Sequence, residues 1–179
     1  MKRADFSSYN KNWDLMGVNL SQFNFRNADL TAVNLAFADL HGIDLTGANL
    51  PGANLFNANL AGAKLTGANL YGVILISAIL DGAILDGAKL IYANLHGAVL
   101  NGSNLANANL TDANLKSAIL MDANLTGAVL VGAKLINANL TGTDLTGADI
   151  YCAYLTGAKP KGIEAWIAFW LAPTYPTLI

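Results

Sequence analysis

The sequence predicts an all-β solenoid, a chain wound into stacked coils of short straight sides with a bend between one side and the next. Three observations predict it. Every fifth position from Leu15 to Leu155 is leucine except Phe25 and Ile150, giving 27 leucines in 29 slots, too regular for compositional accident. Alanine stands two residues before the slot in 21 of the 29. Turn-forming pairs follow it, as in Pro51-Gly52, Asp86-Gly87 and Asn101-Gly102. Repeats this short mean a stacked, quasi-one-dimensional structure.

A period of five excludes the regular alternatives. In a helix, at about 100° per residue, successive leucines would spread around the whole cylinder, and the glycine and asparagine content disfavours helix as well. In a continuous strand an odd period would send alternate leucines to opposite faces. One arrangement keeps every leucine inside. The alanine and the leucine lie two apart and point the same way, as in extended chain, while the next two residues turn a corner and reset the phase. Alanine gives way at Trp13, Val18, Phe23, Val33, Ile43, Val73, Ser103 and Thr143. All but Val18 fall on alternate sides, which points to an even number of sides per turn.

These residues resemble the pentapeptide repeat family, whose motif is A(D/N)Lxx. Ala28-Asp29-Leu30, Ala38-Asp39-Leu40, Ala58-Asn59-Leu60 and Ala123-Asn124-Leu125 match it. The resemblance implies a right-handed quadrilateral β-helix with four pentapeptides per turn, about seven coils in all, with leucine and alanine inside and the other three positions outside. It covers residues 15–158, preceded by an amino-terminal cap over 1–14 and followed by a carboxyl-terminal capping helix and tail over 159–179.

Each end of a solenoid presents a sheet-like edge that invites aggregation unless covered. Phe6, Trp13, Phe23 and Phe25 read as an amino-terminal plug. At the other end, Ile163, Trp166, Ile167, Trp170 and Leu171 form one apolar stripe of a short helix that Pro173 stops. Two readings of this helix stand. It is a lid on the last coil, or, since Phe169 lies off the stripe and the tail is also apolar, it is the surface of a homodimer. Some members of the family pair through a carboxyl-terminal helix.

Composition excludes several function classes. The chain is 54% hydrophobic, but polar residues and glycine interrupt every apolar run well short of the ~20 residues of a membrane span. Lys2 and Arg3 have no apolar stretch behind them, so no secretory signal is read and the expected location is the cytoplasm. The net charge of −2 comes without a run of either sign, which argues against a nucleic-acid surface. Cys152 is the only cysteine and reads as a small residue near a corner.

No catalytic, cofactor or metal site is read. His41 and His96 fall on different sides, almost three turns apart in the four-sided scheme. Asp81 and Asp86 sit on adjacent sides and read as solvated corner residues. The position before each leucine is mostly Asn or Asp, where stacked amides bond to one another or to nearby backbone.

Three outward columns depart from that polar pattern and form the candidate partner surface. The first is Asn59, Ile79, Val99, Ile119, Asn139. The second is Phe56, Ile76, His96, Lys116, Ile136. The third is Pro51, Tyr71, Ile91, Thr111, Val131, Tyr151, with Tyr92 beside it. Stacked apolar neighbours approach a contiguous patch, the mark of a contact surface, although such ladders also stabilise a sheet by themselves.

The expected function is therefore a non-catalytic scaffold presenting a rigid rod to a protein partner. The family resemblance implies an alternative, a duplex mimic that binds DNA gyrase. Mimicry calls for dense negative charge, and Lys64, Lys89, Lys116 and Lys134 occupy the repeat surface. Ice adsorption by the Thr46, Thr66, Thr126, Thr146 column is opposed by Asp86 and Ala106, which interrupt it.

Overall fold

The computed structural model describes residues 13–161, and the fold is the expected solenoid of pentapeptides. Parallel bridges join each residue before a slot to the residue 20 further on, as in Asp14↔Asn34, Asn19↔Asp39, Asn24↔Asp44 and Asp29↔Asn49, so four pentapeptides make one turn. The four sides are numbered by those bridge columns, the first side running from Asp14 to Tyr154, the second from Asn19 to Lys159, the third from Asn24 to Asp144 and the fourth from Asp29 to Asp149. Only the last pair of coils pairs long enough to count as strands, β1 (Asn139–Thr141) and β2 (Lys159–Lys161), parallel with Leu140 opposite Pro160. No helix occurs among the described residues.

One unit shows how the chain does this. Around Leu95, the Asn94 amide donates down to Val73 O (2.8 Å), while the Leu95 and Gly97 amides donate up to Asn114 O (2.7 Å) and Lys116 O (2.9 Å). The Ala98 amide closes the corner on Leu95 O (3.0 Å). The third corner residue has a positive φ at every corner from Asn27 to Gly157, 64° at Gly97, which is the signature of a type II turn. Pro51 occupies the second corner position, where proline is favoured and where the missing amide is one that makes no backbone bond elsewhere in the repeat. Pro160 falls in a leucine slot, whose amide donates to the next coil at every slot from Leu15 to Leu135. It therefore removes one donor from the upper edge of β2.

The core is one continuous column. Slot leucines from Leu50 to Leu130 are at most 1% exposed, and the alanines between them are as well buried. The exceptional inward residues lie on the first and third sides, opposite one another: Val33 and Val73 on the first, Ile43, Ser103 and Thr143 on the third. Both hydroxyls are satisfied by backbone, Ser103 Oγ donating to Leu100 O and Thr143 Oγ1 to Leu120 O, each at 2.7 Å. At the amino end Phe25 fills its slot and is buried, whereas Phe23 is 47% exposed and so only edges the core it was expected to plug. Phe6 and the expected helix with Trp166, Phe169 and Trp170 lie outside the described residues.

Besides Ala32 and Cys152, two aromatic residues occupy corners against backbone preference. Phe37 (φ 60°) and Tyr92 (φ 58°) hold the left-handed region, which costs a side-chain-bearing residue about 1–2 kcal/mol. Each meets another ring edge-on, Phe37 with Phe56 at 5.3 Å and Tyr92 with Tyr71 at 5.6 Å between centroids. Such a pair contributes about 0.5–1.5 kcal/mol, so the two effects nearly cancel. Tyr92→Gly should accordingly change stability by less than about 1 kcal/mol, because strain and pair vanish together. Tyr92→Ala keeps the strain and loses the pair, so its urea midpoint should fall below that of the glycine variant.

Candidate interaction surface

The outward surface is built on a polar ladder. The Asn or Asp before each leucine accepts from the amide two residues on, as Asn54 Oδ1 does from Phe56 (3.1 Å) and Asn124 Oδ1 from Thr126 (2.9 Å). Its Nδ2 donates to the same position one coil below: Asn54 to Asn34 (3.1 Å), Asn69 to Asn49 (2.7 Å), Asn114 to Asn94 (3.0 Å). The ladder thus caps a backbone donor that the five-residue repeat leaves out of its own bonding. Hydrogen bonding from the His41 side chain holds the Asp39 carboxyl below the ordinary range, and the Thr146 hydroxyl does the same for Asp144.

One coil lacks this ladder altogether. Between Tyr71 and Leu90 the four ladder positions are Ile74, Ile79, Ile84 and Lys89, and no side-chain acceptor meets the amides of Ile76, Asp81, Asp86 or Ile91 among the described residues. Ile74, Ile79 and Ile84 are 38%, 43% and 38% exposed, so an aliphatic belt crosses three adjacent sides. On the second side it continues upward through Val99, bridged to Ile79, and Ile119, bridged to Val99. Here the corner residue one coil below replaces the missing cap. Asp81 Oδ1 accepts the Asn101 amide (2.9 Å), and Asn101 Oδ1 accepts the Met121 amide (3.2 Å).

The structure places every candidate residue among the described ones on the outside. Ile79, Val99 and Ile119 form the middle of the second side. Phe56, Ile76 and Ile136, with His96 and Lys116, line the corner by which the chain enters that side, so the first two columns share one surface. Tyr71, Ile91, Val131 and Tyr151 line the corner before the first side and form a separate patch with Tyr92. Sequence reading by columns missed Ile74, Ile84 and the exposed Phe37 and Met121. The signal for the first two was present along the coil, as four consecutive units without Asn or Asp before the leucine. Cys152 is exposed at a corner with φ 56°. His41 Nδ1 lies 2.8 Å from Asp39 Oδ1 and His96 Nδ1 lies 2.9 Å from Lys116 O, on separate coils. Among the described residues no group of His, Cys, Asp or Glu could hold a metal ion, and no helix is long and apolar enough to cross a membrane.

A four-sided coil of five-residue units with leucine inside and an Asx ladder outside defines a class of solenoid proteins. The family model for pentapeptide repeats matches residues 14–52, 53–90, 88–127 and 123–159, and the chain belongs to that family. Among solved structures it is similar to HetL, a pentapeptide repeat protein involved in heterocyst differentiation regulation from the cyanobacterium Nostoc, at 34% identity over 82% of this chain and 78% of that one, with a TM-score of 0.43. It is also similar to a pentapeptide repeat protein from the thylakoid lumen of Arabidopsis thaliana, at 30% identity over 60% and 70% of the two chains, TM-score 0.45. QnrB1, a plasmid-mediated fluoroquinolone resistance protein, aligns over 98% of this chain and 96% of its own at 18% identity, TM-score 0.38. No curated protein matches the chain.

Proposed function

We propose that the protein is a non-catalytic scaffold, a right-handed rod of about seven coils closed by a carboxyl-terminal helix, which presents its second side to a protein partner. The observation that carries this reading is the interruption of the ladder. Asn at positions 79, 99 and 119 would extend the column already formed by Asn59 and Asn139, yet the exposed Ile79 and the half-buried Val99 and Ile119 stand there instead. Contiguous exposed aliphatic surface is characteristic of contact sites.

Duplex mimicry is the weaker alternative. On the third and fourth sides with their corners, residues 91–150 carry Asp112, Asp122, Asp144 and Asp149 and no base. That is four charges over about 14 Å of rod, where a duplex carries about eight.

The test places a photoreactive residue at Val99, and separately at Asn109 on the fourth side, in cells that make the protein. Val99 should give a cross-linked product of defined mass and Asn109 none. The triple variant I79N/V99N/I119N, cross-linked from Ile76, should lose that product while keeping its circular dichroism spectrum, because asparagine is the ladder's own residue. Equal labelling at both sites, or none at Val99, would remove the proposal.

A further inference from the structure

The charges are mixed along the sequence but not around the rod. From residue 91 onward, the first and second sides and the corner between them carry His96, Lys116, Lys134 and Lys159. Acidic residues stand only at the outer corners of that wall, Asp112 before the first side and Asp122 after the second, and Asp144 and Asp149 belong to the other two sides. In the lower half the balance reverses, with Asp14, Asp29, Asp39, Asp44, Asp81 and Asp86 against Arg26, Lys64 and Lys89. The ion-pair contacts among the described residues are Arg26–Asp44 and His41–Asp39, and Lys116, Lys134 and Lys159 take part in neither; Lys134 and Lys159 are exposed and Lys116 is half-buried. A period of 20 does this. Lys116, Lys134 and Lys159 are 18 and 25 residues apart, and the coil turns those separations into neighbouring positions.

The basic wall and the aliphatic column overlap. Ile79, Val99 and Ile119 rise by one coil each, about 4.8 Å, so the three span about 10 Å. Two turns of an α-helix rise about 11 Å, and a helix is about 10–12 Å wide. Lys116 precedes Ile119 by three residues and stands at the corner by which the chain enters the second side, with Ser117 (φ 56°) between. A helix lying on the column along the rod axis would therefore set its flank over the corner that carries His96 and Lys116, with Lys134 on the adjoining first side. Between column and corner the wall is low, since Ser77, Gly97 and Ser117 fill it.

We propose that the second side binds an acidic amphipathic helix of a partner protein, its apolar stripe on Ile79, Val99 and Ile119 and its Asp and Glu residues toward Lys116 and Lys134. This rests on the scaffold reading and gives it a partner chemistry. Carboxylates brought to that flank gain from steering and register more than from raw affinity, so the binding is salt-dependent.

The test uses the full chain and four fluorescent probes: a 14-residue Glu/Leu amphipathic helix, its Lys/Leu counterpart, a Glu/Ala helix with no apolar stripe, and a 14-base-pair DNA duplex. By anisotropy, the Glu/Leu helix should bind most tightly and weaken several-fold between 50 and 200 mM salt on screening grounds. K116E/K134E should weaken it at least about tenfold, a coupling of about 1.4 kcal/mol, with unchanged circular dichroism, and I79N/V99N/I119N should do likewise. Equal affinity for the Lys/Leu helix or the duplex, indifference to K116E/K134E, or no binding of any helix would overturn the proposal. If no helix binds while Val99 still cross-links in cells, this inference falls and the scaffold reading stands; if neither is seen, both fall.

Discussion

Leu95→Ala should destabilise the rod by about 3 kcal/mol, within the usual range of about 2–5 kcal/mol for a fully buried leucine. Leu95 is 0% exposed and stacks in one column with Leu75 below and Leu115 above, both equally dry. The coil cannot contract around the lost atoms, because its circumference is fixed by four corners, each closed by its own turn bond and tied by further backbone bonds to the neighbouring coils. The cavity therefore persists. For a chain of this size the melting temperature should fall by about 6–12 °C. Leu145→Ala, near the upper end where the leucine is 8% exposed, should cost distinctly less. Urea and thermal unfolding of the two variants check this, and equal losses would mean that the column is not close-packed as described.

A second large effect separates two alanines five residues apart. Ala98→Val should cost about 1–3 kcal/mol through overpacking, whereas Ala93→Val should cost less than about 1 kcal/mol. Both alanines are 0% exposed. Ala93 is on the first side, where Val33 and Val73 already stand at the same inward position and are buried. Ala98 is on the second side, where every inward residue from Ala38 to Ala158 is alanine. The fourth side is likewise all alanine from Ala28 to Ala148. The section thus has one axis that accepts a larger pair of walls and one that does not. Comparable losses at both positions, measured by urea midpoint, would contradict that asymmetry.

This asymmetry was already legible as the alternation of exceptions to alanine, though not its meaning. A larger residue on one side has to be judged against the wall it faces, and facing walls are ten residues apart in the chain. The corner chemistry was equally legible, since Gly, Asn, Asp and Ser are the residues that tolerate positive φ. Phe37 and Tyr92 were not legible as left-handed residues, because their ring partners Phe56 and Tyr71 lie one coil away. The candidate surface divides in the same way. Ile79, Val99 and Ile119 are recognisable as a column once the period is 20, but Ile74 and Ile84 join them only along the coil. The substitute caps from Asp81 and Asn101 appear only when coils are stacked.

By itself, then, the sequence determined the fold: a five-residue period in leucine, with alanine two before it and turn residues after it, has one solution that keeps every leucine dry. The tertiary structure decided which outward residues meet. Burial depends on the period within one unit, which the chain carries locally. Surface chemistry depends on residues 18 to 25 positions apart becoming neighbours, and a wall with three lysines above a belt of isoleucine exists only after the chain has wound.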